Sequence, residues 1–170
     1  MTKQILTQSQ LKKVIHYNSD TGEFTRRKCY FKSMEGQPAG WICKTWGYRL
    51  IRIDRIAYRA SRLAVLYMDG MFPKDQVDHI NHIRDDDRWV NLRVVTLHEN
   101  LKNLTVQSNN TTGVTGLSWN KASGKYQGKI NVNKKRFHLG YFSSLDEGKK
   151  AYEAAKIKYK YHPNHGSLKP

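Results

Sequence analysis

Four side chains in one short stretch have the types and order needed for hydrolytic chemistry. Residues 76–103 run Q-V-D-H-I-N-H-I-R-D-D-D-R-W-V-N-L-R-V-V-T-L-H-E-N-L-K-N. Asp78 and Asn100 offer oxygen ligands of the kind a hard divalent cation such as Mg²⁺ or Mn²⁺ takes. His79 carries an imidazole whose ordinary pKa, about 6.5, suits a general base acting on water at neutral pH. Asn91 has a side-chain carbonyl that could hold that imidazole in one tautomer. A cation on a scissile phosphate would neutralise charge and stabilise the leaving oxygen. Taken singly the parts are bland: Val-Asp-His is most often a strand end with a turn aspartate, and a capping box is most often only a cap. The whole pattern separates the two readings.

The elements around these residues must bring them together. Val77-Asp78-His79 is expected to close a strand, and a polar loop follows. Asn91-Leu92-Arg93-Val94-Val95 returns as a second strand, and Thr96-Leu97-His98-Glu99 is a capping box that starts a helix at Leu97. A β-hairpin followed by a helix can gather Asp78, His79, Asn91 and Asn100.

Upstream, Thr7-Gln8-Ser9-Gln10 is a capping box opening a short helix to about His16. Asn18–Gly22 is a turn and Glu23–Arg26 a strand. Residues 29–46 show no clear pattern. Tyr48–Tyr58 alternates as a hairpin or two short strands, with Leu50, Arg52 and Asp54 on one side and Arg49, Ile51, Ile53 and Arg55 on the other. Ala60, Leu63, Ala64, Leu66 and Tyr67 fall at helical spacing, and Gly70 is a helix stop. Residues 104–112 are polar and read as a linker. Three strands follow, over 116–120, 125–133 and 135–142, with turns at Ala122-Ser123-Gly124 and Asn133-Lys134. A third capping box, Ser144–Glu147, opens a helix whose face is Gly148, Ala151, Tyr152, Ala155 and Tyr159, small enough to lie close on a sheet. Residues 163–170 are expected to be a frayed tail.

Composition narrows the partner. The 170 residues hold 30 Lys and Arg against 14 Asp and Glu, a formal net charge of +16. Such a balance asks for a polyanion, nucleic acid before an anionic membrane surface, since the bases lie mostly in strand-like stretches rather than along one face of a long helix. Aromatic residues make up 11%, so the chain is folded rather than disordered. The mean hydropathy is −0.75, and no apolar run approaches the ~20 residues that span a bilayer. No apolar leader is visible at the N-terminus. A secreted, membrane-spanning or collagen-like protein is therefore excluded at this level. Cys29 and Cys43 have no partner pair, so a cysteine-based zinc site is not expected and both should be reduced thiols.

Residues 58–103 resemble the HNH (ββα-metal) nucleases of phage and homing type, through Arg62-Leu63-Ala64, Gly70, Pro73, Val77–Asn81, Asp86, Asn91–Thr96 and Glu99-Asn100. Leu6-Thr7, Thr21–Phe24 and Gly47-Tyr48 are similar to the leader of phage proteins of that kind. The resemblance implies that His79 is the general base, that Asp78 and Asn100 hold one divalent metal ion, Mg²⁺ or Mn²⁺, and that Asn91 orients His79. Two departures stand out. Where the family often has Asp-Asn after the loop, this sequence has Asp86-Asp87, an extra carboxylate expected to weaken DNA binding or adjust metal affinity. Ser61 stands where the family often has His. His82 and His98 are expected to contact phosphate or lie on the plain surface.

Residues 113–160 resemble the plant APETALA/ethylene-response-factor DNA-binding domain, through Gly116–Trp119, Gly124–Tyr126, Ile130, His138–Phe142 and Ala151–Ala155. That resemblance implies a three-stranded sheet reading the major groove. Ile130 and Val132 should then face the helix, while Lys129 and Asn131 face DNA with Ser118, Asn120, Lys125, Tyr126 and Arg136. Arg49, Arg52 and Arg55 are the expected DNA contacts of the N-terminal part.

The fold class expected is α+β: an N-terminal ββα-metal HNH module plus a small C-terminal three-stranded antiparallel sheet packed on one helix. Its parts are a basic DNA-contacting region at 1–57, the nuclease motif at 58–103, the linker at 104–112, the second DNA-binding domain at 113–162 and the tail. The function expected is metal-dependent endonuclease action on double-stranded DNA by a monomer in the cytoplasm of an infected bacterial host. The rival is a non-catalytic DNA-binding regulator that kept the scaffold.

Overall fold

The computed structural model describes residues 6–27 and 32–168. Cys29 lies outside them, and Cys43 is a half-buried free thiol. The chain divides into two compact units, Met1–Thr96 and Leu97–Pro170. The fold class is α+β, with antiparallel pairing in every sheet among the described residues. No helix among them is long and apolar enough to cross a membrane.

In the first unit, α1 spans Gln8–Val14. The capping box is formed as expected: Gln10 N–H donates to Thr7 Oγ1 at 3.3 Å and Thr7 N–H to Gln10 Oε1 at 2.9 Å. The helix stops short of His16 because Ile15 and Tyr17 are buried about an exposed His16, a period of two rather than 3.6. That segment is strand β1 (Ile15–Tyr17), paired with β2 (Phe24–Arg26) so that Tyr17 faces Phe24, their rings stacked at 4.5 Å. The unpatterned stretch holds a 3₁₀ turn at Lys32–Met34 and β3 (Trp41–Ile42). A two-residue strand is too short for alternation to reveal it.

The strand β3 pairs with β4 (Arg49–Ile53), which pairs with β5 (Ile56–Arg59). Between β4 and β5, Asp54 and Arg55 have φ of 47° and 66°, the two left-handed residues of a tight hairpin turn. Helix α2 (Ala60–Asp69) ends at Gly70 with φ 85°, as its apolar spacing predicts. Its face joins Leu11, Ile15, Tyr17, Phe24, Ile51, Ile53 and Leu92 in one core. Leu11, Ile51, Leu63 and Leu66 are almost fully buried, each contributing about 2 kcal/mol relative to exposure. Against this core lies the hairpin of β6 (Gln76–His79) and β7 (Leu92–Val95), with Asp78 opposite Arg93 and His79 opposite Leu92.

The second unit begins with α3 (Leu97–Leu101). Strands β8 (Leu117–Asn120), β9 (Lys125–Val132) and β10 (Lys135–Phe142) form a sheet in the order β10-β9-β8. Helix α4 (Leu145–Lys158) packs on it, capped by Ser144, whose hydroxyl accepts from Glu147 N–H at 3.2 Å. A Cβ on Gly148 would stand 2.8 Å from Leu117 Cδ1, so the small residue is what lets the helix settle on the strands. Ile130, Tyr152 and Ala155 centre this core.

Two expected boundaries differ. The stretch 104–112 is bonded into the second unit rather than free, and residues 164–167 are bonded back rather than frayed. Gly166 N–H donates to Leu104 O at 2.7 Å and Val106 N–H to Ser167 O at 3.0 Å. His165 is buried between them: its Nδ1 accepts from Leu104 N–H at 3.2 Å and its Nε2 lies 3.2 Å from the Tyr152 hydroxyl. These are tertiary bonds that local sequence pattern does not announce.

Candidate active site

The end of β6 places Asp78 and His79 side by side, both buried, His79 at 4% exposure. Asp78 Oδ2 accepts from Arg93 Nε at 3.0 Å and Nη2 at 2.7 Å across the hairpin, two charge-assisted bonds on one oxygen. His79 Nε2 lies 3.2 Å from Asp87 Oδ1. Asp87 was expected as an extra carboxylate toward phosphate. It is turned inward instead, 2% exposed, with Arg49 Nε 3.6 Å from its other oxygen. Burial pushes the Asp87 carboxyl above its ordinary value, and the hydrogen bond and charges of His79 and Arg49 pull it back.

Asn91 was expected to hold the imidazole. Its side chain is used otherwise: Oδ1 accepts from Asn81 N–H at 3.0 Å and Nδ2 donates to Asp86 O at 2.8 Å. It ends a 3₁₀ turn at Trp89–Asn91 rather than opening the strand, and it closes the loop that leads away from His79. The same loop is held by Asp86. The Arg88 guanidinium bonds both its oxygens, at 2.7 and 2.6 Å, and Asn81 Nδ2 donates to it at 2.6 Å. These bonds, Arg88 foremost, hold the Asp86 carboxyl down to about 2.

The β1–β2 hairpin buttresses this loop from below. The Tyr17 hydroxyl donates to Asp87 O at 2.7 Å and Trp89 N–H to Ser19 O at 2.9 Å. The Tyr17 phenol is raised by burial and then by the charges of Asp87, Asp20 and Asp86, so it stays a donor. Gly22, at φ +75°, lies so close that a Cβ would stand 2.5 Å from Arg88 N.

Basic groups gather over the Tyr48 ring, a neighbour of His79. The Tyr48 ring lies 5.8 Å from the imidazole, and the Arg59 and Arg84 guanidiniums lie over that ring at 4.4 and 5.2 Å. Arg84 also donates to Trp46 O at 2.8 Å. Sequence reasoning missed Asp87 and Tyr48 as neighbours of His79, and Arg59 and Arg84 over the Tyr48 ring. Arg49, expected on DNA, points at Asp87. The signal was in the alternation, for Arg49 shares a side of β4 with buried Ile51 and Ile53. Arg52 is exposed with its guanidinium 5.4 Å from the Trp41 ring, and Arg55 is exposed at the hairpin tip. His82 is half-buried and His98 exposed. Asn100 lies in α3, in the second unit.

The donor set in the first unit fits a hard divalent cation. Mg²⁺ is commonly held by one or two carboxylates together with waters and substrate phosphate, and Asp78 supplies one such carboxylate beside an imidazole. No group of three or more His, Cys, Asp or Glu among the described residues forms a closed metal cage, as an open site of this kind does not require one.

In the second unit, the face of the sheet away from α4 carries Ser118, Asn120, Lys125, Gln127, Lys129, Asn131, Arg136, His138 and Tyr141, by the registers of β8, β9 and β10. Ile130 is buried toward the helix and Val132 packs beside it, as expected. Arg136 Nε donates to Asn131 Oδ1 at 3.3 Å, and Gln127 Nε2 to the Tyr141 hydroxyl at 3.1 Å. Tyr126 departs from expectation. It pairs with Trp119 in the register that carries Leu117 and Ile130 toward α4, the rings edge-on at 4.9 Å.

The first unit thus presents a two-stranded hairpin whose end carries a buried Asp-His pair. Residues 58–109 match the family model described as HNH endonuclease. Protein 3.8 of Escherichia phage T7 is 33% identical over 86 residues, which cover 48% of this chain and 71% of that protein. The chain belongs to the family of that phage protein and carries an HNH endonuclease domain. A solved structure, described as DNA binding and cleavage by the HNH homing endonuclease I-HmuI, is similar with a TM-score of 0.42 and 17% identity over 90% of each chain.

Proposed function

We propose that this protein is a metal-dependent endonuclease that hydrolyses phosphodiester bonds of double-stranded DNA, preferring particular sites, in the manner of phage homing enzymes. The observation that carries the reading is His79, buried at the end of β6 beside Asp78 and hydrogen-bonded to a carboxylate behind it. A base so held keeps one orientation when substrate arrives. His79 takes a proton from water as the water oxygen forms a bond to phosphorus. The bond to the 3′-oxygen breaks, and that oxygen takes a proton from solvent water, giving a 5′-phosphate and a 3′-hydroxyl. Asp78 is the proposed carboxylate ligand of one Mg²⁺ or Mn²⁺, which when bound would neutralise phosphate charge. Arg59 and Arg84 lie where they can attract the backbone phosphates. Arg52, Arg55 and the open face of β8–β10 position the duplex, and the likeness of that sheet to the APETALA/ethylene-response-factor domain belongs to this proposal. A monomer with one such centre nicks one strand per visit. The setting proposed is the cytoplasm of an infected bacterium.

The test is a Mg²⁺-dependent plasmid nicking assay with a binding measurement beside it. His79→Ala is expected to lower the cleavage rate on the order of 10²–10⁴-fold with DNA affinity nearly unchanged. Asp78→Ala is expected to need far more metal for any cleavage. Wild-type protein that binds DNA and never nicks it would favour a non-catalytic regulator instead.

A further inference from the structure

Asp87 is a carboxylate with no room for solvent and a defined pair of neighbours. Its Oδ1 lies 3.2 Å from His79 Nε2 and its Oδ2 3.6 Å from Arg49 Nε. Arg49 Nε and Asp87 Oδ2 are both shielded and have no hydrogen-bond partner among the described residues, so what joins them is charge at close range. A buried carboxylate is costly unless opposed by a cation, and Arg49 supplies that cation from the core side of β4. The backbone of Asp87 is fixed independently, by the Tyr17 hydroxyl on its carbonyl at 2.7 Å and by the close approach of Gly22. The carboxylate is thus aimed from two sides, and what it is aimed at is one ring nitrogen of His79.

We propose that Asp87 is the positioning residue of the general base: it accepts the Nε2–H of His79, fixes that tautomer, and leaves the lone pair on Nδ1 to receive the proton from water. Arg49 acts through Asp87 and not on DNA. The proposal rests on the nuclease reading above and adds which nitrogen acts and what selects it. When water gives its proton to Nδ1, the imidazole becomes imidazolium, and Asp87 remains a carboxylate facing the new charge. No second proton moves. An ionised acceptor stabilises that imidazolium more than a neutral one. This chain has Asp where the family it resembles often has Asn, so the added charge falls on the base and not on the phosphate.

The tautomer is measurable without any cleavage. In protein labelled with ¹⁵N-histidine, at a pH about two units above the ordinary imidazole value, two-bond ¹H–¹⁵N spectra distinguish Nε2–H from Nδ1–H. His79 is assigned by its loss in His79→Gln. Wild type is expected to show Nε2–H. Asp87→Ala is expected to lose that preference and to lower kcat on the order of 10²–10³-fold with KM for DNA within about twofold. Asp87→Asn keeps a carbonyl that can accept the same N–H, and is expected to recover at least about tenfold of that loss. Arg49→Met is expected to lower kcat while the salt dependence of DNA binding stays as in wild type. An Nδ1–H tautomer in wild type overturns the proposal, as does an Asp87→Ala enzyme with unchanged kcat. A salt slope lower by about one in Arg49→Met would return that residue to phosphate contact. Wild-type protein that cleaves under no divalent cation overturns the nuclease reading itself, which is a different outcome from cleavage that ignores Asp87.

Discussion

Gly22→Ala tests whether the β1–β2 hairpin holds the site loop. Two costs add at this position. An L-residue at φ +75° pays for the left-handed backbone, about 1–2 kcal/mol. The new Cβ would also stand 2.5 Å from Arg88 N and 2.7 Å from Asp87 C. Those are backbone atoms and cannot swing away, so the loop must move, at about 1–3 kcal/mol by analogy with overpacked cores. A total near 3 kcal/mol corresponds to a fall in Tm of about 12–24 °C for a unit of this size. Gly36 is the internal control: its φ is +76° but a Cβ there meets nothing within 4 Å among the described residues. Gly36→Ala therefore carries only the backbone cost, about 4–8 °C per kcal/mol. Thermal unfolding followed by near-UV circular dichroism compares the two. Nicking is then measured at a temperature where both variants are folded. Gly22→Ala is expected to cleave more slowly, because the displaced atoms belong to Asp87 and Arg88, whereas Gly36→Ala should cleave as wild type. Equal losses of Tm in the two variants, or full cleavage by Gly22→Ala, would refute the buttress.

Other outcomes follow from particular residues. Arg55 occupies a left-handed turn position with φ 66°; Arg55→Gly relieves that conformation, so stability should hold or rise by up to about 1 kcal/mol, while DNA affinity falls and the salt slope drops by about one. Lys129→Ala should weaken DNA binding uniformly across sequences with a similar loss of slope, whereas Asn131→Ala, if it reads a base edge, should relax preference at one position by roughly 1–3 kcal/mol; titrations on a preferred and a scrambled duplex separate the two. The Asp86 carboxyl is held below its ordinary value of 3.8, at about 2, so its pair with Arg88 stabilises the loop above about pH 4 and is lost as pH falls through about 2. Fluorescence of Trp89, which follows that pair in the chain, is expected to change in that window and, in Asp86→Asn, to be changed already at neutral pH.

Elements with a long enough period were legible in the sequence. The alternation of β4 and β5, the helical spacing of α2, the β8–β10 sheet and the N-terminal caps at Thr7 and Ser144 depend on local chemistry and appear where that chemistry puts them. Asp78 and His79 were legible for the same reason, as a strand end with chemical side chains. Asn91 was expected on the imidazole, and its amide bonds Asn81 and Asp86 instead, because a side-chain amide serves a loop as readily as a ring. Asp87 could not be placed from the sequence. Its direction depends on Tyr17 and Gly22, some 65–70 residues earlier, and on Arg49 in another sheet. The tail was misjudged because His165 is anchored by partners at Leu104 and Tyr152 rather than by its own neighbours.

The bonds from Gly166 to Leu104 and from Val106 to Ser167 hold the entry and exit of the sheet-and-helix body against each other. A body whose two ends meet can be spliced into a loop of another protein with little strain on either partner, since the host loop need only open by the width of two strands. Recombination between genes can then move such a body as one cassette, and a laboratory can graft residues 102–168 between two neighbouring positions of an unrelated scaffold by the same logic.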